Sequence, residues 1–389
     1  MLATVAGLWA VLGGPAGAET VTVGSCPGAI FPGIQSALDA ARPGDTVVVC
    51  PGSYAEQLFV TKRLTLRGLP GARIAPVGLR ALTATLRTDQ PIAAGITLRA
   101  PAVVEGLAVD VAAHGITTCN GSEPLLAGVY VRGVQATVLG TSVTGARIGS
   151  EPPGCENGIG IFVEGAGGLQ RARIEGNSIA AYQRAGIMIE NVGVKATIVE
   201  NLVTGDGPTP DRVQTGMDIG TGVTARITNN LVRDHAGPSG ATCELDVGIA
   251  VRAARARTTG NQLLGDTIGI LAGARGHTIV GNTIDGGTDG FFGLVLDADE
   301  SRVTSNAIGP VTAAAMSVSG SRNRVRSNVV HDVHAAACET ARAIPGCAPR
   351  LPECGTGISL EGRANQIVGT VFTATDVTVV DDGRGNVVR

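Results

Sequence analysis

Aromatic side chains are scarce in this chain: one Trp, three Tyr and six Phe among 389 residues. A core of large rings is therefore excluded, and the interior has to come from Ile, Val, Leu and Ala within a hydrophobic content of 44%. An excess of basic charge is missing too. The 30 Lys and Arg are scattered against 33 Asp and Glu, for a formal net charge of −3, so no nucleic-acid partner is expected. Beyond the N-terminus no uninterrupted apolar run reaches the ~18 residues of a spanning helix, so no membrane span is expected. The eight cysteines form no CxxC pair, which removes the usual spacing of a zinc site.

What is present begins with residues 1–18. An apolar run from Leu2 to Leu12 leads into Gly, Pro and the small residues Ala16-Gly17-Ala18, the pattern of a secretory signal peptide. The expectation is a secreted protein, extracellular or periplasmic, whose even set of cysteines forms disulfides. Glycine, at 57 residues, runs at about twice its ordinary usage and implies many tight turns.

Those turns fall in a repeat. In TARITNNLVRDHAG, residues 224–237, Asn230 has Ile227 three places before it and Val232 two places after. The same frame centres on Asn177, Asn201, Asn261, Asn282, Asn306 and Asn328, and with another residue in the Asn slot on Leu107, Thr141 and Thr370. A second phrase, Gly-apolar-x-apolar, precedes these centres, as in GVYV at 128, GIFV at 160 and GMDI at 216. Alternating apolar residues in short segments split by Gly or Asn indicate strands. Successive centres lie 21 to 42 residues apart, with a minimal unit of 21 to 24, the self-similarity of stacked coils that bury apolar faces against their neighbours.

The expected fold class is all-β: a parallel β-helix of about ten to twelve coils, with three short strands per coil. The repeated Asn is expected at a sharp turn, in the left-handed conformation, with its amides stacked as a ladder. Residues 19–70 are expected to form an N-terminal cap and the first coils, and residues 71–389 the repeats. Ile34, Leu38 and Ala41 share one helical face, stopped by Pro43-Gly44, and such a helix would cover the open end of the stack. Cys26 and Cys50 flank it, which predicts a bridge pinning the cap. Cys119 and Cys155, in loops of adjacent coils, predict a second.

The stretch IQSALDAARPGDTVVVCPGSYAEQLFVTKRLTLRG, residues 34–68, resembles the opening segment of secreted right-handed β-helix proteins of the pectin-lyase-like superfamily. The Gly-Ile-x-Val and Gly-Asn-x-Ile phrases resemble their coils. This resemblance implies the fold over nearly the whole mature chain. It implies no single activity, because the superfamily includes lyases, epimerases, hydrolases, esterases and adhesins. PGSYAE is similar to the opening of pectin methylesterases, but the residue after Asp289 is Gly290, no Gln-Asp dipeptide exists, and no Leu-Gly-Arg-Pro-Trp follows. Gly-His-Gly and Asp-Pro-His, expected in polygalacturonases and alginate epimerases, are also absent.

Candidate chemistry is therefore sought by strand alternation. Insertions between coils project from one edge and would wall a groove along the Gly-apolar-x-apolar sheet. The third residue of each phrase faces outward and gives a column running through Tyr130, Phe162, Met188 and Asp218. Tyr130 and Phe162 are expected to stack on sugar rings. Two residues further along, the column includes Glu190 and Arg252. Glu190 and Asp218 come from neighbouring coils, at a separation of roughly 5 to 9 Å that suits paired-acid chemistry, with proximity raising one pKa. Arg212 or Arg252 would clamp the carboxylate of an acidic sugar, and His235, which opens a long loop after Asp234, would serve as an accessory base.

No metal site and no cofactor are expected. A Ca2+ ion would be compatible with such a fold but nothing indicates one. The predicted role is a monomer that binds or modifies an extended polysaccharide, as lyase, epimerase or hydrolase if it is an enzyme. The alternatives are a non-catalytic surface or adhesion module, or a periplasmic accessory protein that holds a metal through His331 and His334.

Overall fold

A computed structural model of the chain describes residues 18–119, 124–148, 155–208, 213–237, 246–287, 290–335 and 354–389. Of the expected signal segment only Ala18 falls among them. Three sheets of 14, 12 and 13 strands run along the molecule. Each repeat gives one strand to each sheet in turn. Thr224–Thr228 joins the 14-stranded sheet, Leu231–Arg233 the 12-stranded and Val247–Val251 the 13-stranded. Pairing is parallel and in register from coil to coil, so alternation keeps identical positions stacked.

The core is a set of apolar files. Ile174, Ile198, Ile227, Thr258, Ile279 and Val303 stack in register, each no more than 2% exposed. Thr258 holds an apolar slot, and its neighbours above and below are branched aliphatics. Burying each such aliphatic contributes roughly 1.5–3 kcal/mol, which suffices without large rings.

The asparagine ladder is present. From Asn177 through Asn201, Asn230, Asn261, Asn282 and Asn306 to Asn328, each side-chain Nδ2 donates to the next Oδ1 at 2.9 or 3.0 Å. Each receiving Oδ1 also accepts the backbone N–H of the Asn before it. The conformational expectation needs correction. The left-handed residue is the one before each Asn: Gly176, Glu200, Asn229, Gly260, Gly281, Ser305 and Ser327, with φ between 51° and 66°. That residue turns the chain. The Asn that follows points inward, where its amide is shielded from water and can hydrogen-bond along the stack.

A second ladder occupies the corner between the 13-stranded and 14-stranded sheets. The His277 N–H donates to Ser301 Oγ (3.0 Å), and the N–H groups of Ser301, Asn323 and Asn365 donate to Asn323, Asn365 and Asn386 Oδ1 at 2.8 Å. Gly276, Glu300, Arg322, Ala364 and Gly385 precede these residues, again with positive φ. The local rule is the same at both corners. Mixed residue types disguise it here.

At the N-terminal end the helix Ile34–Ala40 buries Ile34, Ala37 and Leu38. Its cap residue, Gly33, has no side chain, so the Glu56 carboxylate accepts the Ile34 and Gln35 N–H groups, both at 2.8 Å. Lys62 donates to the Ala41 carbonyl at the other end. An anion at the N-terminus and a cation at the C-terminus both oppose the helix dipole. Cys26 is bonded to Cys50 and Cys119 to Cys155, as the sequence predicted. Cys354 is disulfide-bonded as well; Cys243, Cys338 and Cys347 lie outside the described residues.

Candidate functional site

The predicted outward column exists in register. Thr97, Tyr130, Phe162, Met188, Asp218 and Ala250 pair strand to strand across the 13-stranded sheet. Much of it is covered. Tyr130 and Phe162 are 0% and 2% exposed, and their rings stack at 5.3 Å between centroids. With Ile92, Leu125, Ile159 and Met188 they form an apolar cluster outside the coil interior. The lid is local. Thr83–Ala84 turns back antiparallel onto Pro91 and Ile92, the Tyr130 hydroxyl donates to the Ala84 carbonyl, and the Leu86 N–H donates to both oxygens of Glu164.

Tyr130 also donates to Glu164. Burial first, and then that carboxylate, push its phenol far above the ordinary tyrosine value, so it stays a donor. The expectation that Tyr130 and Phe162 offer stacking platforms is therefore corrected. A ring with no exposed face cannot receive a sugar, and this hairpin seals both.

Past this lid the sheet face becomes charged. Asp218, 6% exposed, accepts from Arg252 Nη2 through both carboxylate oxygens, at 2.5 and 2.7 Å. Arg252 is half exposed. The predicted carboxylate clamp thus grips the chain's own acid, one strand away. Glu190 stands one coil earlier, in register with Glu164. Its carboxyl is raised above the ordinary value of 4.5, first by burial and further by Asp218, against the opposing pull of Arg184, Arg87 and Arg252. The result is a half-buried carboxyl with a raised pKa beside an ion-paired carboxylate. Arg87 and Arg184 were missed from sequence. Arg87 reaches the site from the hairpin, and no periodicity signals it.

His235 lies elsewhere. It is 0% exposed, with Nδ1 2.7 Å from Asp266 Oδ1 and Nε2 2.5 Å from the Tyr182 hydroxyl. Asp234 takes a left-handed φ of 64°, which turns the next side chain into the interior. An accessory base sealed there has no path to a substrate on the sheet face, so that role is corrected to an internal one. Burial raises the Tyr182 phenol well above its ordinary value. Arg212 lies outside the described residues.

The other histidines are engaged as well. His114 Nε2 meets the Arg147 carbonyl at 2.8 Å, while Nδ1 accepts the Ile116 N–H. His331 and His334 pair with different acids, Asp332 and Asp376, at 3.0 and 3.1 Å. Among the described residues no group of three or more His, Cys, Asp or Glu is placed to hold a metal ion. No described helix is long and apolar enough to cross a membrane.

Comparison with known proteins agrees with the architecture. No curated protein matches the chain in sequence. Among solved structures it is similar to the Dettilon tailspike protein (gp208), with a TM-score of 0.54 at 13% identity over 87% of this chain and 64% of that one. This chain thus spans less than two thirds of the tailspike's length. It is also similar to the GH136 lacto-N-biosidase of Eubacterium ramulus, with a TM-score of 0.49 at 11% identity over 95% and 68%. The DFA-IIIase of Arthrobacter chlorophenolicus A6 follows, with a TM-score of 0.44 at 17% identity over 89% and 83%. Likeness at such identity concerns the fold alone. The family model described as the right-handed β-helix region matches residues 159–388. With more than half its length matched and three parallel sheets wound as one stack, the chain belongs to the right-handed β-helix family.

Proposed function

We propose that this chain is exported, to the periplasm or outside the cell, and modifies an extended acidic polysaccharide on the outer face of the 13-stranded sheet. The observation that carries this reading is the setting of Glu190: half-buried, with its carboxyl raised, beside the Arg252–Asp218 pair. A carboxyl held above its ordinary pKa next to an ion-paired carboxylate is the asymmetry that acid-assisted cleavage or proton transfer at a sugar uses. In this reading Glu190 gives a proton to the departing oxygen. Asp218, oriented by Arg252, supplies negative charge to the sugar ring, and Arg184 and Arg87 meet an acidic substituent. The disulfides fit an oxidising compartment.

A second reading, a non-catalytic surface module, is favoured by one feature: Tyr130 and Phe162, the ring platforms nearest the acids, are shut beneath the Thr83–Gln90 hairpin. A screen of acidic and neutral polysaccharides for binding and for turnover separates the two, with wild type compared against Glu190→Gln and Asp218→Ala. Turnover lost in Glu190→Gln with binding kept supports catalysis. Turnover absent with every polymer, or untouched by Glu190→Gln, rejects it, and binding without turnover selects the module.

A further inference from the structure

A different face carries arginines stacked strand upon strand. On the 14-stranded sheet Arg226 pairs in register with Arg257, then Thr278, then Arg302, then Arg324. All four arginines are exposed, and none forms an ion pair with a described residue. The outward positions of these five strands contain no Asp or Glu. Toward the N-terminus the file runs through Thr197 to Arg173, which pairs with Glu175, and Lys195 and Arg171 stand in the neighbouring file of the same sheet. There, with Arg63 and Gln135, they line a shallow depression of about 660 Å³. From Arg171 to Arg324 the track crosses seven strands, or about 30 Å at the ~4.8 Å spacing of neighbouring strands.

Stacking like charges directly opposite one another weakens a sheet. The fold does not need them, since Thr278 fills the same file without a charge. Arg226, Arg257, Arg302 and Arg324, repeated in single file with no counter-charge among the described residues, are arranged for an external anion that repeats along the same axis.

We propose that this arginine file is a second binding site, separate from Glu190, that anchors one linear acidic polysaccharide bearing a carboxylate on successive sugars. The guanidinium fork matches carboxylate geometry, and an extended chain of pyranose rings presents its charges at a spacing comparable to that of the strands. Nucleic acid fits less well. Phosphates recur about every 3.4 Å along a duplex strand, and the outward positions of these strands hold no aromatic ring on which bases could stack. An anionic membrane would meet a two-dimensional basic surface, whereas this track is one or two side chains wide. The site works by holding a polymer on one side of the stack while the same or another chain reaches the 13-stranded sheet.

The test is retention of the full chain on polygalacturonate, and affinity for galacturonate oligomers of increasing length. Arg257→Thr with Arg302→Thr, which extends the Thr278 solution along the file, is expected to weaken binding roughly tenfold. Arg73→Thr with Arg233→Thr, which removes equal charge from the 12-stranded sheet, is expected to change it little. Glu190→Gln is expected to retain binding, so that failure of the proposed activity and failure of this site are told apart. Affinity should rise with oligomer length until the file is filled, and fall with salt. The proposal is overturned if wild type does not bind, if the two double variants lose equally, or if single-stranded DNA or vesicles of anionic phospholipid bind as tightly as polygalacturonate. Thermal melts of both variants exclude misfolding as the cause.

Discussion

Arg252 Nη2 lies 2.5 Å from Asp218 Oδ1 and 2.7 Å from Oδ2, reaching both oxygens with one nitrogen from the adjacent strand. Both charges act on Glu190, with opposite sign. If Glu190 is the proton donor, turnover holds while its carboxyl is protonated and falls as pH rises through its raised pKa. Arg252→Ala removes a cation and should move that limb to higher pH. Asp218→Asn removes an anion and should move it to lower pH. Titration of labelled Glu190 by NMR gives the same two shifts without a substrate, and shifts in one direction for both variants would reject the electrostatic account.

Tyr182, His235 and Asp266 are stacked as a sealed polar chain, which predicts a stability effect with no effect on the sheet face. Tyr182→Phe leaves His235 Nε2 buried without a partner and should destabilise the fold by about 1–3 kcal/mol. The Asp266 carboxyl is raised, by burial above all. Its contribution to folding is therefore fully present below its unfolded value and is lost as pH climbs through the folded one. Asp266→Asn should flatten this pH dependence in denaturation midpoints, and an unchanged profile would count against it.

The two residues of the Asn229-Asn230 turn should respond oppositely. Asn230→Ala removes an acceptor used by Asn201 and a donor to Asn261, leaving buried partners unsatisfied at a cost of at least about 2 kcal/mol. Asn229→Gly, at φ 54°, should be neutral or slightly stabilising, and Glu200→Gly, at φ 56°, should stabilise by up to about 1 kcal/mol. Urea midpoints compare all three. Equal losses at positions 229 and 230 would contradict the assignment of conformation to one residue and hydrogen bonding to the next.

The Cys119–Cys155 bridge closes 36 residues of sequence. Replacing both with Ser should lower stability by about 2–4 kcal/mol through the freer unfolded chain. Limited proteolysis should then cut first near this pair, whereas cleavage confined to the N-terminal cap would place the weakness elsewhere.

Strand register was legible because the Asn frame and the Gly phrase fix it locally, and every outward position from Thr97 to Ser359 stacks as alternation requires. Exposure was not legible. Whether Tyr130 is open depends on Thr83–Gln90, a hairpin from a coil before it, and no period in the sequence reports where an excursion folds back. The side of His235 depends on one dihedral at Asp234. The second ladder escaped because His277, Ser301, Asn323, Asn365 and Asn386 share a position without sharing a side chain, although each stands just before an x-apolar step into the 14-stranded sheet.

The asparagine ladder pins one corner from Asn177 to Asn328, and the second ladder pins another from His277 to Asn386. Between the 12-stranded and 13-stranded sheets the connection lengths vary widely, while the paired strands on either side stay aligned. A residue added there alters no hydrogen bond in either ladder. The ladders hold the pitch of the stack, and the remaining corner can lengthen or carry a disulfide such as Cys119–Cys155 while the ladders stay in register.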